Sequence, residues 1–278
     1  MSLARELEVA HAVALEAAAL VRGYQGASIV VEHKAQNEPV TEADRAASDL
    51  IVRRLAAAFP DDAILSEEMP DDGSRLRKDR VWMVDPIDGT RDFIRGESGF
   101  AVMIGLCVGG RPRVGVVSQP TTGITWAGAV GQVAYRETAD GVRAPLVPSS
   151  RKEPPGIRLV ASKSHRTHDI DVFRQALGID DELNIGGVGL KVCLVAEGSR
   201  DLYVYPGGRT KKWDSCAPEA ILAAAGGRLT DTYAAPLEYT AADLHNSGGL
   251  VASNGPLHEL VLATIALLRK PASGEGGG

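Results

Sequence analysis

Between residues 101 and 136 the chain is built of four short runs, "AVMIGLCVGG", "RPRVGVVSQP", "GITWAGAV" and "QVAYRE", separated by Gly and Pro. Runs of this length, rich in β-branched residues and bounded by turn formers, leave no room for a crossover helix, so each strand must return beside the last. The spacing predicts an antiparallel meander, and such a sheet needs cover on at least one face. The segments before it supply that cover. "LARELEVAHAVALEAAALVRG" puts Leu3, Leu7, Ala10, Ala14, Ala17 and Val21 on one helical face. "VTEADRAASDLIVRRLAAAF" predicts a second helix, with Thr41 as N-cap, Asp44 at its third position, and Leu50, Ile51, Leu55 and Phe59 as the buried stripe. "AILSEE" then reads as a short strand ending in acid, and "RVWMVDP" as a buried strand stopped by Pro86.

Past residue 156 the pattern changes to alternation. Strand-like "IRLVASKSH" precedes a helix near 170–177, and "ELNIGG" precedes a helix through "LKVCLVAEGS". "DLYVYP" is followed by a helix through "APEAILAAAGG", which Pro218 helps to start; strands at "RLTD" and "GLVAS" and a helix over 256–268 complete the series. That order predicts a layered α/β lobe. The Pro- and charge-rich stretch 138–156 reads as a connection, giving an α+β lobe over 1–155 and an α/β lobe over 156–270. The tail "PASGEGGG" over 271–278 is expected to be disordered.

A chain of 278 residues can bury a substantial core, and its net charge of -6 gives no basic footprint for duplex nucleic acid. Small anionic substrates stay open, because a bound metal reverses the sign of a site locally. Cys107, Cys193 and Cys216 are odd in number and scattered, which argues against a disulfide framework or a zinc site. No signal-peptide core and no bilayer-length apolar stretch is present, so the expectation is a cytoplasmic protein without membrane partners, monomeric or homodimeric.

The remaining signal is acidic. Asp44, the pair Glu67-Glu68, Asp85 with Asp88, and Asp214 each end an apolar strand or begin a helix, where layered α/β folds place ligands. In "WMVDPIDGTRDF" two carboxylates flank a proline turn and can face one point with the carbonyl of Ile87, an oxygen set suited to Mg²⁺. Gly89-Thr90 offers free backbone amides to a phosphate. Structural readings stand beside these. Asp44 completes a capping box with Thr41, Asp214 caps a helix, Glu67 and Glu68 are loop acids, and Asp85/Asp88 hold a turn.

Taken together, "SEE" (66–68), "DPIDGT" (85–90) and "WD" (213–214), in this order over 40–254, resemble the Mg²⁺-dependent, lithium-sensitive phosphatase superfamily that includes inositol monophosphatase. "ASKSHRTHD", "LKVCLVAEGSRDLYVYP" and "KKWDSCAPEAILAAAGGRLTD" are similar to its 3′(2′),5′-bisphosphate nucleotidases, although Lys163 stands where Arg is usual and 95–100 matches neither branch. The resemblance implies a five-layer α-β-α-β-α sandwich and two or three Mg²⁺ ions per site. It implies a small phosphorylated nucleotide or sugar as substrate, with removal of the 3′-phosphate of adenosine 3′,5′-bisphosphate. The roles carried over give Glu67, Asp85, Ile87, Asp88 and Asp214 to the metals and Thr90 with Asp44 to the attacking water. Gly89, Thr90 and Asp214 go to the scissile phosphate end, and Ser162, His165, Gly187 and Lys191 to the rest of the substrate. Without the resemblance, His165 is a surface residue beside His168, Lys191 a solvated helix lysine, and Ser162 and Gly187 loop residues. An inositol or other sugar monophosphatase, or a polyphosphate 1-phosphatase, is the alternative on the same scaffold. A catalytically silent, metal-stabilised interaction protein is the alternative from another class.

Overall fold

A computed structural model describes residues 2–26, 31–33, 39–163 and 168–269, in which two sheets alternate with three layers of helices. The chain starts with α1 (Ala4–Gly23), passes through the hairpin β1 (Val31–His33) and β2 (Pro39–Thr41), and enters α2 (Glu42–Ala58). β3 (Ala63–Ser66) and β4 (Arg80–Asp88) follow, then the five-residue helix α3 (Thr90–Ile94). The meander comes next: β5 (Ala101–Val108), β6 (Arg111–Gln119), β7 (Ile124–Ala129), β8 (Val133–Glu137) and β9 (Arg143–Pro145). These seven strands, β3 to β9, lie side by side in chain order, with β3 parallel to β4 and every later neighbour antiparallel. β9 comes from the stretch read as a pure connection; its register, Glu137↔Arg143 to Tyr135↔Pro145, adds one strand to the meander.

The second half runs β10 (Arg158–Ser162), α4 (His168–Leu177), β11 (Asp181–Ile185), α5 (Val188–Ala196), β12 (Leu202–Tyr205), α6 (Lys212–Ala225), β13 (Arg228–Thr230), β14 (Leu250–Ser253) and α7 (His258–Arg269). Its sheet has the order β11-β10-β12-β14-β13, parallel at β11-β10-β12 and antiparallel from β12 to β13. α1 and α2 cover the outer face of the larger sheet, α5 and α6 lie between the sheets, and α4 and α7 cover the smaller one. The five layers are those implied by the resemblance. The helical faces read from the sequence bury largely as expected, with Leu3, Leu7, Ala10, Ala14, Ala17 and Val21 at α1 and Ile51, Leu55 and Phe59 at α2; Leu50, read as part of the second stripe, is only half-buried at its edge. α5, enclosed between two sheets, is apolar on nearly every side, as such a position requires. The three cysteines are free and buried, and among the described residues no helix is long and apolar enough to cross a membrane. The tail over 271–278 lies outside the described residues.

α6 differs from its sequence reading. It starts at Lys212, six residues before Pro218, which lies inside the helix. Proline removes the amide that would bond the Asp214 carbonyl, a cost of about 3 kcal/mol in a helix interior. Burial of Trp213, Cys216, Ala217, Ala220 and Ile221 between the sheets offsets it. What admits α6 so close to the larger sheet is a row of glycines. Gly105, Gly115 and Gly128 stand opposite one another on β5, β6 and β7. A Cβ at Gly105 would meet the Ala217 nitrogen at 2.7 Å, and one at Gly115 would overlap the Ala217 carbonyl oxygen. Gly115→Ala should therefore destabilise the protein by at least about 1–3 kcal/mol, the usual cost of overpacking. The check is a lower urea midpoint at an unchanged m value; an unchanged midpoint would mean that α6 is not set by contact with this row.

Candidate active site

β4 ends in the cavity it helps to build. Val81 to Val84 are buried in the sheet, and the register with β5 shifts between Asp85, opposite Met103, and Asp88, opposite Ala101, so that Pro86 and Ile87 bulge out of the ladder between the two carboxylates. The Ile87 amide donates to Asp85 Oδ1 at 3.1 Å, closing the turn around Pro86. Gly89 follows with φ of 98°, a left-handed conformation that suits glycine, and opens α3. Thr90 Oγ1 lies 3.1 Å from the Ile87 carbonyl oxygen and 3.4 Å from Asp44 Oδ1.

Asp44 does two things at once. Its Oδ2 accepts from the Thr41 amide at 2.8 Å and the Thr41 hydroxyl at 2.6 Å, completing the capping box of α2. Its other oxygen faces Thr90. Capping and site readings of this residue are thus not alternatives. Asp214 likewise occupies the third position of α6, where its Oδ2 accepts from the Lys211 amide at 2.7 Å. Glu67 follows β3, its amide bonded to the Val84 carbonyl at 3.1 Å, which brings the acid beside the end of β4.

Asp88 reaches across to the other half of the chain. Its Oδ1 and Oδ2 accept from the amides of Val188, at 3.0 Å, and Gly189, at 2.7 Å, in the first turn of α5. Lys191, on the next turn, is buried; its amino group bonds the Gly186 carbonyl at 3.1 Å and also the Gly187 carbonyl. Burial holds the Lys191 ammonium down at about 8, against the pull of Asp88 and Asp92.

Glu67, Asp85, Ile87, Asp88, Gly89, Thr90, Ser162, Gly187, Lys191 and Asp214 thus line one cavity of about 580 Å³, with Asp44 behind Thr90. His165 lies outside the described residues. The sequence reading did not name Asp92, Arg209, Lys211 or His245, which line the same cavity. Lys211 stands in the "KKWD" run beside Asp214 and was open to discovery there. Arg209 and His245 carry no local signal, because a loop and a distant turn bring them in.

Burial, and then the charges of Glu67, Asp88, Asp214 and Asp44, push the Asp85 carboxyl well above the usual carboxylate range. Burial, followed by Glu67 and Asp88, does the same to Asp214. Asp88 is raised less, since Lys191 and the two α5 amides oppose its burial. Among the described residues no three acidic, His or Cys side chains are closed around a single point as a ready chelate. The donor set nevertheless suits a hard divalent cation: it is all oxygen, and its mutual repulsion is what such an ion relieves.

A family model described as "Inositol monophosphatase family" matches residues 2–269. The chain belongs to the inositol monophosphatase family. Within that family of phosphatases it is 39% identical over 225 residues to the 3′(2′),5′-bisphosphate nucleotidase CysQ of Escherichia coli K12, covering 80% of this chain and 88% of that protein. It is 35% identical over 267 residues to a histidinol-phosphatase of Mycobacterium tuberculosis, covering 94% and 97%. A crystal structure of CysQ from Bacteroides thetaiotaomicron, a family member, superposes with a TM-score of 0.76 at 28% identity, over 90% of this chain and 97% of that one. The five layers are thus those of a phosphatase of the inositol monophosphatase family.

Proposed function

We propose that this phosphatase removes the 3′-phosphate of adenosine 3′,5′-bisphosphate, releasing AMP and phosphate. The observation that carries the reading is the mixed lining of the cavity. Glu67, Asp85, Asp88 and Asp214 share it with the basic side chains Lys191, Arg209 and Lys211 and with His245. A substrate with a second anionic group has use for both sets, and a small monophosphate needs only the acids and their metals. The 39% identity to a bisphosphate nucleotidase supports the same choice.

Glu67, Asp85, Asp88, Asp214 and the Ile87 carbonyl would hold two or three Mg²⁺ ions. Bound there, the ions supply Lewis-acid activation of water and stabilisation of the leaving ester oxygen. The chain's own groups do the rest. The Gly89 and Thr90 amides receive the scissile phosphate, which α3 leaves free of intrahelical partners. Thr90 Oγ1 takes a proton from the attacking water as it passes its own toward Asp44 Oδ1. Ser162 and Gly187 form part of the lining, Gly187 close against Asp88, and Lys191 sets its shape there by fixing the Gly186 and Gly187 carbonyls. The relationship to a histidinol-phosphatase favours one other reading, a phosphatase of small monophosphate esters. Phosphate release from adenosine 3′,5′-bisphosphate against monophosphate esters tests the choice.

A further inference from the structure

A second phosphate on the substrate needs a cation, and most cations in and near the cavity are committed. Lys191 is buried against two carbonyls, and the Lys211 amino group lies 5.2 Å above the Trp213 ring. Lys163 pairs with Glu97 at 2.6 Å. Arg209 is different: it lines the cavity, is exposed, and has no acidic partner among the described residues.

Its loop is built to a fixed shape. A Cβ at Gly207 would sit 2.7 Å from the Tyr205 hydroxyl, and one at Gly208 would sit 2.9 Å from the Ser247 carbonyl oxygen, so the backbone lies directly on its neighbours. The Arg209 backbone faces the Tyr205 phenol and favours its ionised form, against the burial that raises it. Beyond it, the Asn246 amide donates to the Thr210 carbonyl at 2.8 Å, and Asn246 Nδ2 donates to the Lys211 carbonyl at 2.8 Å. The Lys212 amide donates to the Leu244 carbonyl at 2.9 Å. These bonds stitch 210–212 to 244–246 and bring His245 opposite Lys211 on the cavity rim. Asp243 holds His245 Nδ1 at 2.9 Å, which leaves Nε2 as the other ring nitrogen at the rim. A guanidinium presented by a fixed loop, in a cavity that an imidazole also lines, suits a phosphate better than a mobile surface arginine does, since little ordering is left to binding.

We propose that Arg209, with His245 lining the same cavity, is the specificity-determining cation for the second, unhydrolysed phosphate of a bisphosphate substrate. The proposal rests on the nucleotidase reading above and adds which group on the protein distinguishes a bisphosphate from a monophosphate. Lys191 then acts one step behind the surface.

The test compares the native enzyme, Arg209→Ala and Arg209→Lys on adenosine 3′,5′-bisphosphate and adenosine 3′-monophosphate, with binding of AMP and adenosine followed by calorimetry. Arg209→Ala should raise KM for the bisphosphate about ten- to a hundredfold, the loss of one charge-assisted contact, and leave kcat within about threefold. KM for the 3′-monophosphate should not move. AMP, which carries only the unhydrolysed phosphate, should lose the same factor in affinity, and adenosine should lose none. Arg209→Lys should recover part of the loss, because the charge returns without the two-pronged geometry. A native preference for the bisphosphate that survives Arg209→Ala overturns the assignment of Arg209 alone. So does an equal loss on both substrates. A native enzyme with no preference for the bisphosphate overturns the nucleotidase reading and this proposal together.

Discussion

Asp85→Asn should melt at a higher temperature than the native protein without divalent metal, and should have lost nearly all phosphatase activity. Both effects have one cause. Asp85 is buried among Glu67, Asp88, Asp214 and Asp44, and the repulsion drives its carboxyl well above the ordinary range. Asparagine keeps the oxygen that accepts from the Ile87 amide and removes the charge. Each kcal/mol of repulsion relieved is worth about 2–4 °C in a chain of this size. A carboxyl whose folded pKa is raised contributes stability that is fully present below its unfolded pKa, near 4, and is lost as pH rises through the folded value. The gap between Asp85→Asn and the native protein should therefore widen as pH rises from about 4, and magnesium should close it by stabilising only the native chain. Activity should fall by at least about 10²-fold, the low end for removing an electrostatic partner of a transition state. Thermal melts from pH 4 to 8, with and without magnesium, check the account. A variant that is less stable than the native chain at neutral pH, or equally stabilised by magnesium, contradicts it.

Thr90→Val should fold normally and lose about 10²–10⁴-fold in kcat, with KM little changed. Thr90 is half-buried and makes one long bond to Asp44 and one to the Ile87 carbonyl, so its structural worth is about 1 kcal/mol. Its proposed worth to the reaction is that of a general base, which is larger. Thr90→Ser keeps the hydroxyl and should retain most of the turnover. Steady-state kinetics separate the two roles: a purely structural residue would lower the melting temperature and leave kcat intact. Retention of more than about a tenth of native turnover in Thr90→Val would remove the hydroxyl from the mechanism.

Much of this architecture could be read from local sequence, because the signals were local. The meander showed in runs separated by Gly and Pro, and α1 and α2 in faces that repeat at helical spacing. The acids were legible because each stands at the end of an apolar run, as Asp85 and Asp88 do after Val81 to Val84, or at the start of a helix, as Asp44 and Asp214 do. What stayed hidden depends on contacts between distant segments. The start of α6 was misjudged because Pro218 is an ordinary start signal, whereas here burial between two sheets carries the helix through it. Lys191 looked like a solvated lysine in any local window; its burial against Gly186 and Gly187 follows from α5 being enclosed. β9 was hidden in a polar, Pro-rich stretch because an edge strand needs no apolar pattern. Arg209 and His245 meet only through bonds that tie residues 210–212 to 244–246.

The account turns most directly on what the native enzyme prefers to hydrolyse. Phosphate release with magnesium, measured as kcat/KM on adenosine 3′,5′-bisphosphate, inositol 1-phosphate, inositol 1,4-bisphosphate and histidinol phosphate, decides it. A cavity lined by the carboxylates of Glu67, Asp85, Asp88 and Asp214 and also by Arg209, Lys211 and His245 predicts a preference of at least about tenfold for the bisphosphate nucleotide, the worth of one charge-assisted contact. Equal or faster turnover of inositol 1-phosphate or histidinol phosphate would contradict it.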